Sequence, residues 1–279
     1  MEILLPFLLV IIASFFQGSF GLGMKYMEPL KWEAWWIIHV TIAMIIFPIA
    51  WAIIVVPNLF EVIRNAPSES LFLGMLFGFL WGVGGILFGK SVPYIGLSLT
   101  YGIVMGLAAS VGSIFPLLQV EDAFSNPATS YVIISVVIML IGVALTAKAG
   151  IERDKLIGDI NDPSNMSKGI LIAVSCGVLS ALLNVGFANA TPVALEAEKM
   201  GALTRNSSLA AWVIVLLGAF LMNFGYAVVL LLKNKSWSSF QVPAAGNAYK
   251  WAILAGLFWF AALGIYGQGS ALMGTMGPI

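Results

Sequence analysis

The sequence predicts an all-α fold, a polytopic bundle of membrane-spanning helices, on three observations. Hydrophobic residues make up 60% of the 279 positions and charged ones only 9%, against about a quarter charged in an ordinary soluble domain. The charges cluster, leaving charge-free runs at 3–24, 34–60, 70–89, 91–120, 123–147, 169–195, 206–232 and 251–279. These runs are apolar on every face, whereas a membrane β-barrel shows alternating segments of about ten residues.

Each run is long enough to cross about 30 Å of hydrocarbon as a helix of about 20 residues, so eight spans are expected. Run one has only Glu2 as a charge, with neither a basic n-region nor an A-x-A cleavage pattern, and reads as a span rather than a removed leader. Run two opens on "KWEAWW" (31–36), an aromatic belt in which Glu33 reads as an interfacial anchor. Runs three and four carry small residues at intervals of four, Gly74, Gly78 and Gly82 in one, Ser98, Gly102, Gly106 and Ser110 in the other. Little hydrophobic force draws helices together in lipid, so such stripes are expected to let runs three and four pack tightly. Run five is followed by the only long hydrophilic stretch rich in turn formers, "AGIERDKLIGDINDPSNMSKG" (149–169). Run six holds Cys176, the single cysteine, which excludes an intrachain disulfide and cysteine-cluster zinc or iron–sulfur sites and reads as a small packing residue.

Charge sets partners and orientation. The net charge is zero and no basic stripe occurs, so nucleic acid is not an expected partner. The loops after runs one, three, five and seven hold Lys25, Lys31, Lys90, Lys148, Arg153, Lys155, Lys168, Lys233, Lys235 and Lys250, and the opposite side holds Arg64, Lys199 and Arg205. The positive-inside rule then puts the N-terminus outside a cell (inner) membrane.

Two stretches echo one another. Aligning "GFLWGVGGILFG" (78–89) with "GLFWFAALGIYG" (256–267) superposes Gly78 on Gly256, Trp81 on Trp259 and Gly89 on Gly267, each 178 positions apart, and the same offset carries Gly96 onto Gly274. A weaker match sets Gln17 and Phe20 against Asn184 and Phe187. Two five-helix units are implied, and an odd number of helices inverts the second in the membrane. The expected division is a first repeat over 1–150, a cytoplasmic loop over 151–168 and an incomplete second repeat over 169–279. A second repeat as long as the first would end near residue ~328, so two of ten helices are expected to be missing.

The segments "KWEAWW", "VVPN" (55–58), "LFGFLWGVGGILFG" (76–89), "YIGLSL" (94–99), "IGVALTAKAG" (141–150), "SKGILIAVSCG" (167–177) and "MNFGYAVVLLLK" (222–233) occur in that order. Together they resemble the L-rhamnose/proton symporter (RhaT) family of the drug/metabolite transporter (DMT) superfamily. The resemblance runs over nearly the whole chain. It implies an EamA/DMT-like transporter of ten helices in two inverted repeats that moves a deoxy sugar inward with a proton. The family pattern has asparagines in the glycine-rich stretch of run three, where this sequence has Gly85 and Leu87. That departure keeps a second reading open, a DMT-type carrier of another small metabolite, beside a third, a non-transporting membrane sensor or scaffold.

Polar groups inside a membrane are costly and mark functional positions. Gln17, Asn184, Asn189, Asn223, Tyr226, Tyr266 and Gln268 are such groups, and uncharged amides and hydroxyls suit a neutral polyol. Trp81 and Trp259 offer ring faces for sugar C–H groups, and Gly85 close backbone approach. His39, the single histidine, titrates near physiological pH as proton coupling requires, and Glu33 is the acidic candidate on the same run. Interhelical hydrogen bonding, worth about 0.6 kcal/mol each, is the competing role for the amides, and packing is the competing role for His39. One histidine and one cysteine on different runs supply no nucleophile–base pair, and Glu196 and Glu198 stand two apart, off a common helix face. No enzyme, metal or cofactor is therefore expected. The expected partners are a small neutral sugar or similar metabolite, protons and membrane lipid, with monomer and homodimer equally open.

Overall fold

In lipid a chain has to satisfy its own backbone N–H and C=O groups, and apolar runs of this length do so as helices. The computed structural model describes residues 4–118, 123–125, 127–157 and 163–273. Its long elements are all helical, with no strand among the described residues. They are α1 (Leu4–Ser19), α2 (Trp32–Val55), the short α3 (Leu59–Asn65), α4 (Ser68–Gly96), α5 (Leu99–Phe115), α6 (Pro127–Ile157), α7 (Pro163–Asn189), α8 (Thr191–Lys199), α9 (Thr204–Asn234) and α10 (Gly246–Leu272). Seven segments are long and apolar enough to cross a membrane, and α5 is a shorter apolar helix. Among the described residues each of the eight predicted runs is therefore mainly helical, but the fourth falls short of the span expected of it. Gly274 and the end of run eight lie outside the described residues.

Local departures have local causes. α2 widens into a π-turn over Ile42–Ile46 just before Pro48, because a proline ring clashes with the carbonyl four residues earlier and has no N–H to offer. α4 and α5 form one helical stretch broken at Gly96, with φ 75° and ψ 163°, a region open essentially to glycine alone. Ser91 and Thr100 hydroxyls, on either side of that break, meet at 3.2 Å.

The chain divides into two compact units, the first taking residues up to Phe79 and from Gly186 onward, the second taking 80–185. In the first, α10 packs on α1, on the segment Phe20–Tyr26, on α2 and on α9. In the second, Ile95, Leu99, Ile103, Val104, Ala173 and Cys176 form the core. Cys176 lies buried there as the packing residue expected, its Sγ 3.1 Å from the carbonyl oxygen of Gly84. α6 turns Tyr131, Ile138 and Leu145 outward, as lipid-facing side chains do.

The glycine stripes do close helix packing, but not with the partners expected. Rather than bringing runs three and four together, Gly74 and Gly78 of α4 face α9. A Cβ on Gly78 would stand 2.0 Å from the carbonyl oxygen of Val215, and one on Gly218 would stand 1.9 Å from that of Met75. Gly102 and Gly106 of α5 face Thr146 and Val143 of α6. Gly256, the counterpart of Gly78, meets α2, where a Cβ would come within 2.9 Å of the His39 carbonyl oxygen and of Ile42. Spacing of four identifies a close-packing face, and tertiary context chooses the neighbour.

Because backbone, not a yielding side chain, fills the space at Gly78, Gly78→Ala is expected to destabilise by about 1–3 kcal/mol through overpacking. Gly225→Ala on α9, where nothing lies within 4 Å, is expected to be neutral or slightly stabilising. Thermal melts of the two variants in one detergent check the contrast.

Candidate functional site

The start of α2 sets its aromatic residues at 32, 35, 36 and 39, intervals of three and four that bring side chains onto neighbouring positions of a helix surface. Trp32 stacks on Trp36 at 5.1 Å between centroids, and His39 stacks on Trp35 at 5.1 Å with the planes 9° apart. Trp36 lies 5.0 Å from the imidazole, and Phe20, from the segment after α1, stacks on it at 6.0 Å. The histidine is thereby boxed by three aromatic rings and is 1% exposed. Its ring faces the backbone of Ala252 on α10, while Nδ1 finds no partner among the described residues. The Trp36 indole N–H donates to Oδ1 of Asn223 on α9 at 3.2 Å, and Asn223 Nδ2 donates back to the Ala219 carbonyl at 2.9 Å.

Glu33, on the same helix, belongs to a different arrangement. Its carboxylate is buried and accepts hydrogen bonds from Ser236 Oγ and from Asn234 Nδ2, while Ser239 Oγ accepts the Lys31 backbone N–H at 2.7 Å. A carboxylate in the first turn complements the positive end of the helix. Glu33 therefore fastens the start of α2 to the end of α9 and to the turn Ser236–Gln241.

A second cluster in the same unit joins α7, α9 and α10. Phe187 stacks on Trp212 at 4.3 Å, Tyr266 lies 6.5 Å from Phe187, and Gln268 Nε2 donates to Asn206 Oδ1 at 3.2 Å. Trp212 is fully buried with its indole N–H unpartnered among the described residues, and a Cβ on Gly267 would come within 2.5 Å of that nitrogen. Trp35 shares both properties, full burial and an unpartnered indole N–H, and stands 177 positions before Trp212.

The remaining candidates fall in both units. Gln17 is exposed on α1, Tyr226 and Asn189 are half-buried, and Trp259 is buried, all in the first unit. Trp81, Gly85 and Asn184 belong to the second, where Gly85 is exposed and Asn184 is half-buried against Gly112. His39 and Asn223 are joined through Trp36, and Tyr266 and Gln268 belong to the second cluster. Trp35 and Trp36 were missed as site residues, although their i, i+4 and i, i+3 intervals to His39 were readable; Phe20, on a separate segment, was missed with no such interval to announce it.

A family model described as L-rhamnose-proton symport protein (RhaT) matches residues 2–276. The chain is 28% identical over 255 residues to the L-rhamnose-proton symporter of Yersinia pestis (strain Pestoides F), covering 88% of this chain and 74% of that protein. The same figures hold for the L-rhamnose-proton symporter of Yersinia pseudotuberculosis serotype O:1b (strain IP 31758). For that of Yersinia pestis bv. Antiqua (strain Antiqua), identity is 28% over 244 residues, covering 85% and 71%. No solved structure matches.

If Glu33 is an anchor, Glu33→Ala is expected to lose about 2–3 kcal/mol, the value of hydrogen bonds to a buried charged group. Trp36→Phe should cost only about 1 kcal/mol, a single neutral hydrogen bond. Melting temperatures in detergent read both, and an unaltered Glu33→Ala protein would contradict the anchoring role.

Proposed function

The chain belongs to the L-rhamnose-proton symport protein (RhaT) family, and from that premise we propose that it imports L-rhamnose or a closely related small sugar together with a proton. The observation that carries the reading is the family match over residues 2–276. This is a family of transporters rather than enzymes, and a helical membrane bundle suits it.

The proposed mechanism is alternating access between two inverted repeats, with the N-terminus outside the inner membrane and the lysine-rich loops in the cytoplasm. Three pairings support the repeat. Gly78 puts α4 on α9, and its counterpart Gly256 puts α10 on α2. Trp35 and Trp212 are buried alike on α2 and α9. Phe20 and Phe187 each bring a ring into the aromatic group holding one of those tryptophans. Inversion exchanges the two halves of such a carrier, so equivalent helices are expected to make equivalent crossings.

For a neutral sugar, aromatic rings and uncharged amides are suitable contacts. Gln17, Trp81, Gly85, Asn184, Asn189, Tyr226, Trp259 and Gln268 remain the proposed set, with Trp36 added. Asn223, buried and committed to the Trp36 indole, supports that ring in this arrangement and stands behind the sugar contacts. His39 is the proposed coupling group. A rival solute within the same superfamily is favoured by one observation, the apolar Gly85 and Leu87 where the family pattern has asparagines.

Uptake of labelled L-rhamnose into proteoliposomes tests the reading. With the outside more acidic by one pH unit, accumulation to about tenfold is expected for one proton per sugar, and collapse of the gradient with a protonophore should abolish it. Equilibration without concentration would remove the symport, and the absence of any rhamnose uptake would turn the assignment to the rival solute.

A further inference from the structure

Resting on the symport reading, we infer that the coupled proton acts through His39 on the crossing of α2 with α10, and that the crossing of α4 with α9 stays fixed. The two crossings are proposed counterparts, yet they are built differently. At Gly78 and Gly218 backbone meets backbone from both sides, with carbonyl oxygens of Val215 and Met75 filling the positions a Cβ would take. At Gly256 the opposing backbone belongs to His39 and the opposing side chain to Ile42, and the imidazole itself faces the backbone of Ala252 one turn earlier on α10. A titratable ring is wedged at one crossing only.

Its surroundings accommodate the neutral ring and one N–H donor. A protonated imidazole carries two donors, and the Ala252 backbone offers an acceptor for one, while Nδ1 has none among the described residues. Ring faces of Trp35, Trp36 and Phe20 at 5.0–6.0 Å supply cation–π attraction, which holds the charge but does not take the second N–H. Asn223 Oδ1 accepts the Trp36 indole N–H. A proton arriving at His39 therefore satisfies its donor by shifting the ring, and with it the contact between α2 and α10 that the ring spans.

No other titratable side chain touches the imidazole in the contacts above. On the elements packed around it the ionisable groups are Glu33 on its own helix, Lys25 and Tyr26 on the segment after α1, Arg205, Tyr226 and Lys233 on α9, and Tyr249, Lys250 and Tyr266 on α10. Of these, Glu33 is held by Ser236 and Asn234.

Amide hydrogen exchange of the wild-type protein in nanodiscs, at pH 5.5 and 7.5 and corrected for intrinsic rates, locates the effect without any variant. Exchange at 37–43 and 252–258 is expected to be about tenfold faster at the lower pH, with 74–79 and 214–219 unchanged. In His39→Gln the acceleration should vanish. In proteoliposomes the same variant should let rhamnose equilibrate without concentrating it, at a rate that no longer follows pH. Equal exchange at the two pH values in the wild type, or concentration of rhamnose by His39→Gln, overturns the inference. Wild-type protein that carries no rhamnose yet shows the local pH response would overturn the substrate reading alone.

Discussion

Lipid gives two apolar helices almost nothing for meeting, because hydrocarbon is as good a neighbour as leucine. What remains is van der Waals contact at short range, interhelical hydrogen bonds and the fit of one backbone into another. The crossing of α4 and α9 answers this constraint with glycine on both sides, and the contact of α10 with α2 answers it with glycine on one. Once these backbones touch, the side chains next to them have fixed places. Gly256 admits the α2 backbone one turn away from Ala252, which brings the α10 backbone against His39.

The same logic separates two polar groups that lie six residues apart. Glu33 sits at a helix start, where unpaired N–H groups, a favourable dipole and nearby Ser236 and Asn234 give a carboxylate several donors. His39 sits nearly two turns deeper, where α2 has no free backbone donors and the neighbours are rings. One position takes two side-chain hydrogen bonds at Oε1 and serves the fold. The other keeps an unused nitrogen in an apolar place, an arrangement that has no packing advantage over a leucine of similar size.

Much of the fold was legible because charge is expensive in hydrocarbon, and gaps between charges therefore trace the spans. The ends were less legible, since α2 begins two residues before its charge-free run and α7 continues through a bend at Ala190 into α8. Gly74 and Gly78 announced a close-packing face, but a spacing of four says nothing about which helix fills it. His39 was visible as the one histidine. Its box was not, because Trp32, Trp35 and Trp36 fit an interfacial belt equally well and the bond from Trp36 to Asn223 spans 187 positions. Trp35 and Trp212 escaped notice as a pair because their offset is 177 rather than 178 and no glycine pattern surrounds them.

A proton and a neutral sugar have no charge–charge attraction through which one could draw in the other. Their transport is linked only if each binds one conformation of the carrier better than another, so that both bias the same equilibrium. A coupling group in such a protein need not touch the sugar, and a carboxylate in the sugar site is not required. It does need a mechanical connection to the element that moves. His39 has one on each side, to α10 through Ala252 and, through the Trp36 ring and Asn223, to α9. Contacts of this kind become a coupling route when one of them has two arrangements of similar free energy. The imidazole is the member of that chain of contacts whose hydrogen-bonding demand changes with a single proton.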